Sequence, residues 1–160
     1  MSRLLGRLLP VALLAVTVTP GSAGAAPLPS VRRIEGTDRY STAVAVARST
    51  FLAYREVTIA RGDIFPDALV ASYVSSAFNG INPILLVGVN YTPPSVIEEL
   101  QLRRPVSGGT SLHAIGDQEA VTLGVEADLL VAAWGAGGGA NGPIYRVAGA
   151  DRYVTSVRAA

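Results

Sequence analysis

Short apolar runs alternate along the chain with longer segments whose apolar residues recur on one side. Val31-Arg32-Arg33-Ile34 reads as a first strand, closed by Glu35-Gly36. From Asp38 to Phe51 the apolar positions Tyr40, Ala43, Val44, Ala47 and Phe51 fall three and four residues apart, the spacing of a helix with one buried face. Glu56 to Ala60 predicts a second strand, and Arg61-Gly62-Asp63 the turn after it. Pro66 suits a first helical turn and Asp67 its positive end, so a helix is expected from there to about Phe78, stopped by Asn79-Gly80. Pro83-Ile84-Leu85-Leu86-Val87 is continuously apolar, as in a strand covered on both faces. Thr92-Pro93-Pro94 opens a helix toward Leu102, and Ser111 to Ile115 is a further strand ending in Gly116-Asp117. Val121, Val125, Leu129 and Ala133 mark another helix face. A glycine-rich turn from Gly135 to Gly142 leads into the strand Ile144 to Val147, and a last helix starts at Asp151. Alternating strands and helices predict an α/β fold, a mostly parallel sheet with helices on both sides in a three-layer sandwich.

The opening segment follows a different pattern. Arg3 and Arg7 precede an apolar stretch from Leu8 to Thr19, Pro20-Gly21 breaks it, and Ala23-Gly24-Ala25 supplies small residues for cleavage. Residues 1–25 read as a secretory signal peptide and 26–30 as a linker. The other reading, a membrane anchor, needs about 20 apolar residues. The mature protein is therefore expected outside the cytoplasm, with no stable membrane span after cleavage.

Charge and composition narrow the chemistry. The chain has 160 residues and a formal net charge of +1, and each of its 13 basic residues is an arginine. Without Arg3 and Arg7, eleven arginines face twelve acids, so attraction to an anion must come from local placement of arginine. No global basic field points to nucleic acid. With no cysteine and one histidine, His113, the chain holds no disulfide framework, no thiol nucleophile and no cysteine- or histidine-rich metal site.

The sequence also repeats itself. Residues 33–44, Arg-Ile-Glu-Gly-Thr-Asp-Arg-Tyr-Ser-Thr-Ala-Val, recur at 146–157 as Arg-Val-Ala-Gly-Ala-Asp-Arg-Tyr-Val-Thr-Ser-Val, an offset of 113. The chain thus re-enters one structural unit, a full repeat over 31–145 and the start of a second over 146–160. Each shared residue has a local reason. Gly36 and Gly149 allow a tight turn, Asp38 and Asp151 suit helix caps, and Tyr40 and Tyr153 turn inward with a polar tip. Arg39 and Arg152 are left to pair or to bind, while Arg33 and Arg146 open each copy.

These motifs resemble those of the cell wall-binding repeat 2 family of Gram-positive bacteria. The Arg-Ile-x-Gly-x-Asp-Arg-Tyr opening, the block from Ala60 to Leu69, Pro83 to Leu86, Thr92-Pro93-Pro94, Ile115-Gly116, Ala120-Val121 and Val125-Glu126 follow in the family's order. The resemblance implies a non-catalytic module that needs no cofactor and anchors a secreted protein at the cell wall or cell surface. It also implies tandem modules packed against one another in a trimer-like arrangement. The implied partner is an anionic cell-wall polymer or a peptidoglycan-associated glycan. Carried over residue by residue, it points to Ile84, Leu85 and Leu86, with Arg39 and Arg61 as anion contacts and Asp63 and Asp67 beside them. For Ile84 to Leu86 a plain buried strand is the competing reading. The chain departs from the family in having Gly116-Asp117 where a Gly-Gly is usual.

Two other classes remain to be weighed. A wall-acting hydrolase could use Asp63 and Asp67 as a carboxylate pair and His113 as a base, although carboxylates at helix starts commonly serve as caps. Ser41 or Ser95 with His113 lacks a Gly-x-Ser-x-Gly elbow. A small-ligand α/β domain could bind at strand ends, but Gly135 to Gly139 precedes a strand and the chain has no lysine for a phosphate loop.

Overall fold

The N-terminal end of the first helix shows how closely the local sequence sets the structure. In the computed structural model α1 spans Arg39–Thr50 and is capped by Asp38. The Asp38 carboxylate accepts from the Ser41 amide at 2.7 Å, and the Asp38 amide donates to the Ser41 hydroxyl at 3.0 Å, a reciprocal capping box. The Gly36 amide donates to the Thr42 hydroxyl at 3.0 Å, and a Cβ at Gly36 would collide with the Ser41 backbone. Glycine is therefore needed there for close approach.

The described residues are 30–77, 82–103, 110–136, 144–150 and 152–159, with the backbone alone at 152 and 153. The expected signal peptide, Asp151 and the side chains of Arg152 and Tyr153 lie outside them. After α1 the chain runs through β1 (Glu56–Arg61), α2 (Phe65–Ala77), β2 (Ile84–Val87), α3 (Pro94–Leu102), β3 (Ser111–Ile115), α4 (Leu123–Trp134), β4 (Ile144–Val147) and α5 (Arg152–Ala159). All three strand pairings are parallel, in the order β2-β1-β3-β4, with Thr58 beside Ile84 and His113, and Ala114 beside Arg146. The fold is α/β, a four-stranded parallel sheet with helices on both faces. Among the described residues no helix is long and apolar enough to cross a membrane.

Strand alternation divides the core. Val57, Ile59, Leu85, Val87 and Leu112 join Val44 and Ala47 of α1, Val96 and Leu100 of α3 and Leu129 of α4 on one face. On the other, Ala60 and Ile115 meet Ala71 and Val74 of α2, and Ile84, Leu86, Val147 and Ala159 pack around them.

One carboxylate lies inside the larger cluster. The Glu99 side chain is 1% exposed and accepts from Arg48 Nε at 2.6 Å, the Tyr54 hydroxyl at 2.9 Å and Arg103 Nε at 3.1 Å. Burial alone would push its pKa up, but the hydrogen bonds from Arg48, Tyr54 and Arg103 outweigh it and hold the group below its ordinary value. The same arrangement pushes the Tyr54 hydroxyl up, through burial and its bond to an anion.

The expected first strand does not form. Residues 31–34 are exposed and outside the sheet, with Val31 97% exposed. The later copy of the same segment is β4, paired with β3. The two segments share a strand-like pattern, but strand structure also needs a neighbour, and the place beside β3 is filled by the later copy.

Candidate functional site

Because every strand runs the same way, Arg61, Val87, Ile115 and Val147 end at one edge of the sheet, where the connecting loops gather. Open parallel sheets commonly bind ligands outside this edge. Two clefts lie there. The first, about 460 Å³, is lined by Arg39, Gly62, Asp63, Ile64, Phe65, Pro66, Ala68 and Leu86. The second, about 250 Å³, is bordered by Arg61, Asp67, Gly116, Asp117, Glu119 and Gly149 among others.

Arg39 sits on the first turn of α1 and is exposed. Its Nη1 donates to the Gly62 carbonyl at 2.8 Å, which anchors the guanidinium on the loop after β1 and aims it over the first cleft. The close approach of that loop depends on Gly62, since a Cβ there would come within 2.7 Å of the Tyr40 ring. Tyr40 is half-buried, as its inward position predicts, and meets Tyr91 edge-on at 5.7 Å between centroids. A hydrogen bond between the two hydroxyls pushes the Tyr91 pKa up.

Arg61 is committed differently. It forks onto Asp63, with Nη2 donating at 2.6 Å and Nε bonded to the other carboxylate oxygen. That hydrogen bond holds the Asp63 carboxyl below its ordinary pKa and raises the guanidinium's. The pair is internally neutral, so Arg61 offers less to an outside anion than Arg39 does. Asp67 is buried, and its carboxylate packs against the backbone at Gly116, where an added Cβ would lie 3.2 Å from Oδ2. Asp117 Oδ1 accepts from the amides of Glu119 and Ala120 at 2.9 and 3.1 Å, closing the turn before α4. The second cleft is therefore rimmed by carboxylates and suits an anion less well than the first.

The three residues of β2 part company. Leu85 is fully buried in the larger cluster and is a packing residue, so the polymer contact implied for its side chain is corrected. Ile84 and Leu86 point to the other face and are half-buried, with Leu86 forming a wall of the first cleft. Ile64 and Phe65 were missed in the sequence. Phe65 is 73% exposed at the start of α2 and lines the cleft beside Arg39. The available signal was an aromatic residue placed just before Pro66.

The enzyme candidates are not assembled. His113 lies mid-strand on β3, with Nε2 3.7 Å from Glu56 and its ring stacked on Tyr145 at 5.4 Å. Burial lowers its pKa, against the pull of Glu56. Ser41 is engaged by the α1 cap. Among the described residues no group of three or more histidines, aspartates and glutamates could hold a metal ion.

Comparison with known proteins adds the decisive observation, because the family model for cell wall binding domain 2 (CWB2) matches residues 33–126. The chain belongs to the CWB2 family. As a CWB2 chain it is a cell-wall-associated module. Its fold is shared with Cwp6 from Clostridium difficile, at 26% identity and a TM-score of 0.66, over 79% of this chain and 18% of that one. Cwp8 from Clostridium difficile, at 23% identity and a TM-score of 0.62 over 81% of this chain and 19% of that one, has the same fold. The chain thus spans about a fifth of the length of these solved structures. No curated protein matches it. The CWB2 match takes in Arg39, the loop after β1, Phe65 and Leu86, so the first cleft lies wholly within the family region.

Proposed function

We propose that this chain is a non-catalytic, exported module that binds an anionic cell-wall polymer in the cleft between Arg39 and Phe65. The observation that carries the proposal is the Arg39 guanidinium, exposed and fixed by the Gly62 carbonyl at the lip of an apolar-walled cleft. An arginine fork binds phosphate or carboxylate oxygens in two-point fashion. The exposed Phe65 ring, with Ile64, Pro66 and Leu86, offers an apolar surface to the carbon face of a repeating unit. One such shallow contact is weak, and repeated units on a polymer raise the effective concentration seen by linked modules. The same reading divides the chain into a signal peptide over 1–25, a linker, one repeat over 31–145 and the opening of a second from 146.

Binding of the purified protein to isolated Gram-positive walls, measured by co-sedimentation, tests this. Arg39→Ala should weaken binding by roughly tenfold, the value of one charge-assisted hydrogen-bond pair. Phe65→Ala should also weaken it, and both variants should keep the wild-type circular dichroism. Unchanged binding by Arg39→Ala would remove the cleft from the account, and solubilisation of the walls would point to a hydrolase.

A further inference from the structure

Arg61 and Asp63 are joined across Gly62 by two hydrogen bonds, from Nη2 at 2.6 Å and from Nε. Both side chains stay open to solvent, 24% and 45% exposed. The pair stands on the wall that the two clefts share: Asp63 lines the first, Arg61 the second, and Ile64 and Pro66 border both. The turn does not need the pair to hold its shape. Its Gly62 amide donates to the Val87 carbonyl at 2.9 Å, and its Gly62 carbonyl accepts from Arg39. Arg39 thereby brings a second guanidinium near the same carboxylate, and its charge also favours the ionised form of Asp63. Asp67, whose charge acts on Arg61 as well, is buried against Gly116, whereas Asp63 is open to the first cleft. Asp63 thus sits as an anion between two arginines at the mouth of a cleft, in a bond that the fold can do without.

We infer that Asp63 is an internal competitor for the polymer: its carboxylate occupies Arg61 in the free protein, and an anionic group of the polymer replaces it on binding, so that Arg61 joins Arg39 as a second contact. The inference rests on polymer binding at the first cleft and adds to it a residue that sets selectivity. An exposed ion pair holds its partners by about fivefold at most, so a ligand anion can displace the carboxylate. A free small anion competes poorly, because the carboxylate is tethered beside Arg61 at a high effective concentration. An anion on a chain already held at Arg39 is tethered too, and meets Asp63 on equal terms. Phosphate oxygens fit the arginine fork as a carboxylate does. Asp63 therefore keeps Arg61 closed to free anions and open to an anion carried on a polymer.

Co-sedimentation of the full chain with isolated Gram-positive walls, titrated to give an affinity, tests this. Asp63→Asn keeps the shape and removes the charge that holds Arg61, so binding should tighten about threefold to fivefold. Asp63→Ser removes the same charge and should show the same rise, with circular dichroism confirming that each variant is folded. In Asp63→Asn/Arg61→Ala the gain should vanish, because it comes from the freed guanidinium. Equal or weaker binding by the folded Asp63 variants overturns the inference. So does a gain that survives the loss of Arg61, which is the mark of a change in net charge alone. Wall binding that requires Arg39 but ignores Asp63 overturns this inference and leaves the polymer reading standing. Binding indifferent to Arg39→Ala, or absent from wild type and Asp63 variants alike, overturns both.

Discussion

Replacing Glu99 is expected to produce the largest single loss of stability on the polar side of the core. Its carboxylate is buried and accepts from three groups, two of them arginines. Removing one partner of a buried ion pair typically costs about 3–5 kcal/mol. Here Arg48 and Arg103 keep 45% and 27% of their side chains exposed and can turn to water, so the lower end applies, about 3 kcal/mol for Glu99→Ala. With a urea slope of about 2 kcal/mol per molar, the midpoint should fall by roughly 1.5 M. Glu99→Gln keeps the shape and loses the charge, so about 2 kcal/mol is expected. The sign with pH follows from the lowered pKa. A carboxylate held below its unfolded value, about 4.3, contributes fully above that pH and loses its contribution as pH falls through the folded value. The gap between wild type and Glu99→Gln should therefore be constant near neutrality and shrink in acid below about pH 4. A loss under about 0.5 kcal/mol for Glu99→Ala, or a Glu99→Gln gap that does not narrow in acid, would refute the reasoning.

Other substitutions probe separate links. Leu85→Ala opens a cavity in the larger cluster and should cost about 2–5 kcal/mol by urea unfolding, while the fraction that remains folded keeps its wall affinity. Gly116 has φ of 96° and little room, with Ala120 Cβ 2.6 Å from an added Cβ, so Gly116→Ala should lower stability by about 2 kcal/mol or more in the same assay. Asp38→Ala should lower the thermal midpoint by removing the capping box. Hydrogen bonds from Ser41 lower the Asp38 pKa, so that deficit should be full at neutral pH and fade as pH falls through the depressed value.

Much of the fold was legible because period and punctuation agreed. β3 and β4 occupy the expected residues, α1 begins and ends within a residue of its predicted limits, and α3 starts at the last residue of the expected Thr92-Pro93-Pro94 opening and ends at Leu102. Asp38 caps as the comparison of the two repeat copies indicated. The first strand was misread for a physical reason: the apolar and polar pattern of 31–34 resembles a strand, but a strand needs a neighbour that local sequence does not specify, and these residues have none in the sheet. The site was half legible. Arginine, glycine and the strand ends could be picked from motif and turn chemistry. Whether Arg39 or Arg61 stays available depends on Asp63 being within reach of one and the Gly62 carbonyl of the other. Leu85 and Leu86 are adjacent leucines, and strand alternation alone decides that one packs in the core while the other borders the cleft.

We propose above that the cleft beside Arg39 recognises an anionic polymer of the wall, and removing that polymer should remove binding. Co-sedimentation of the purified protein with native walls, and with the same walls after acid removal of their anionic polymers, tests it most directly. Binding to native walls should weaken with added salt and be lost on the stripped walls. Equal binding to native and stripped walls would contradict it.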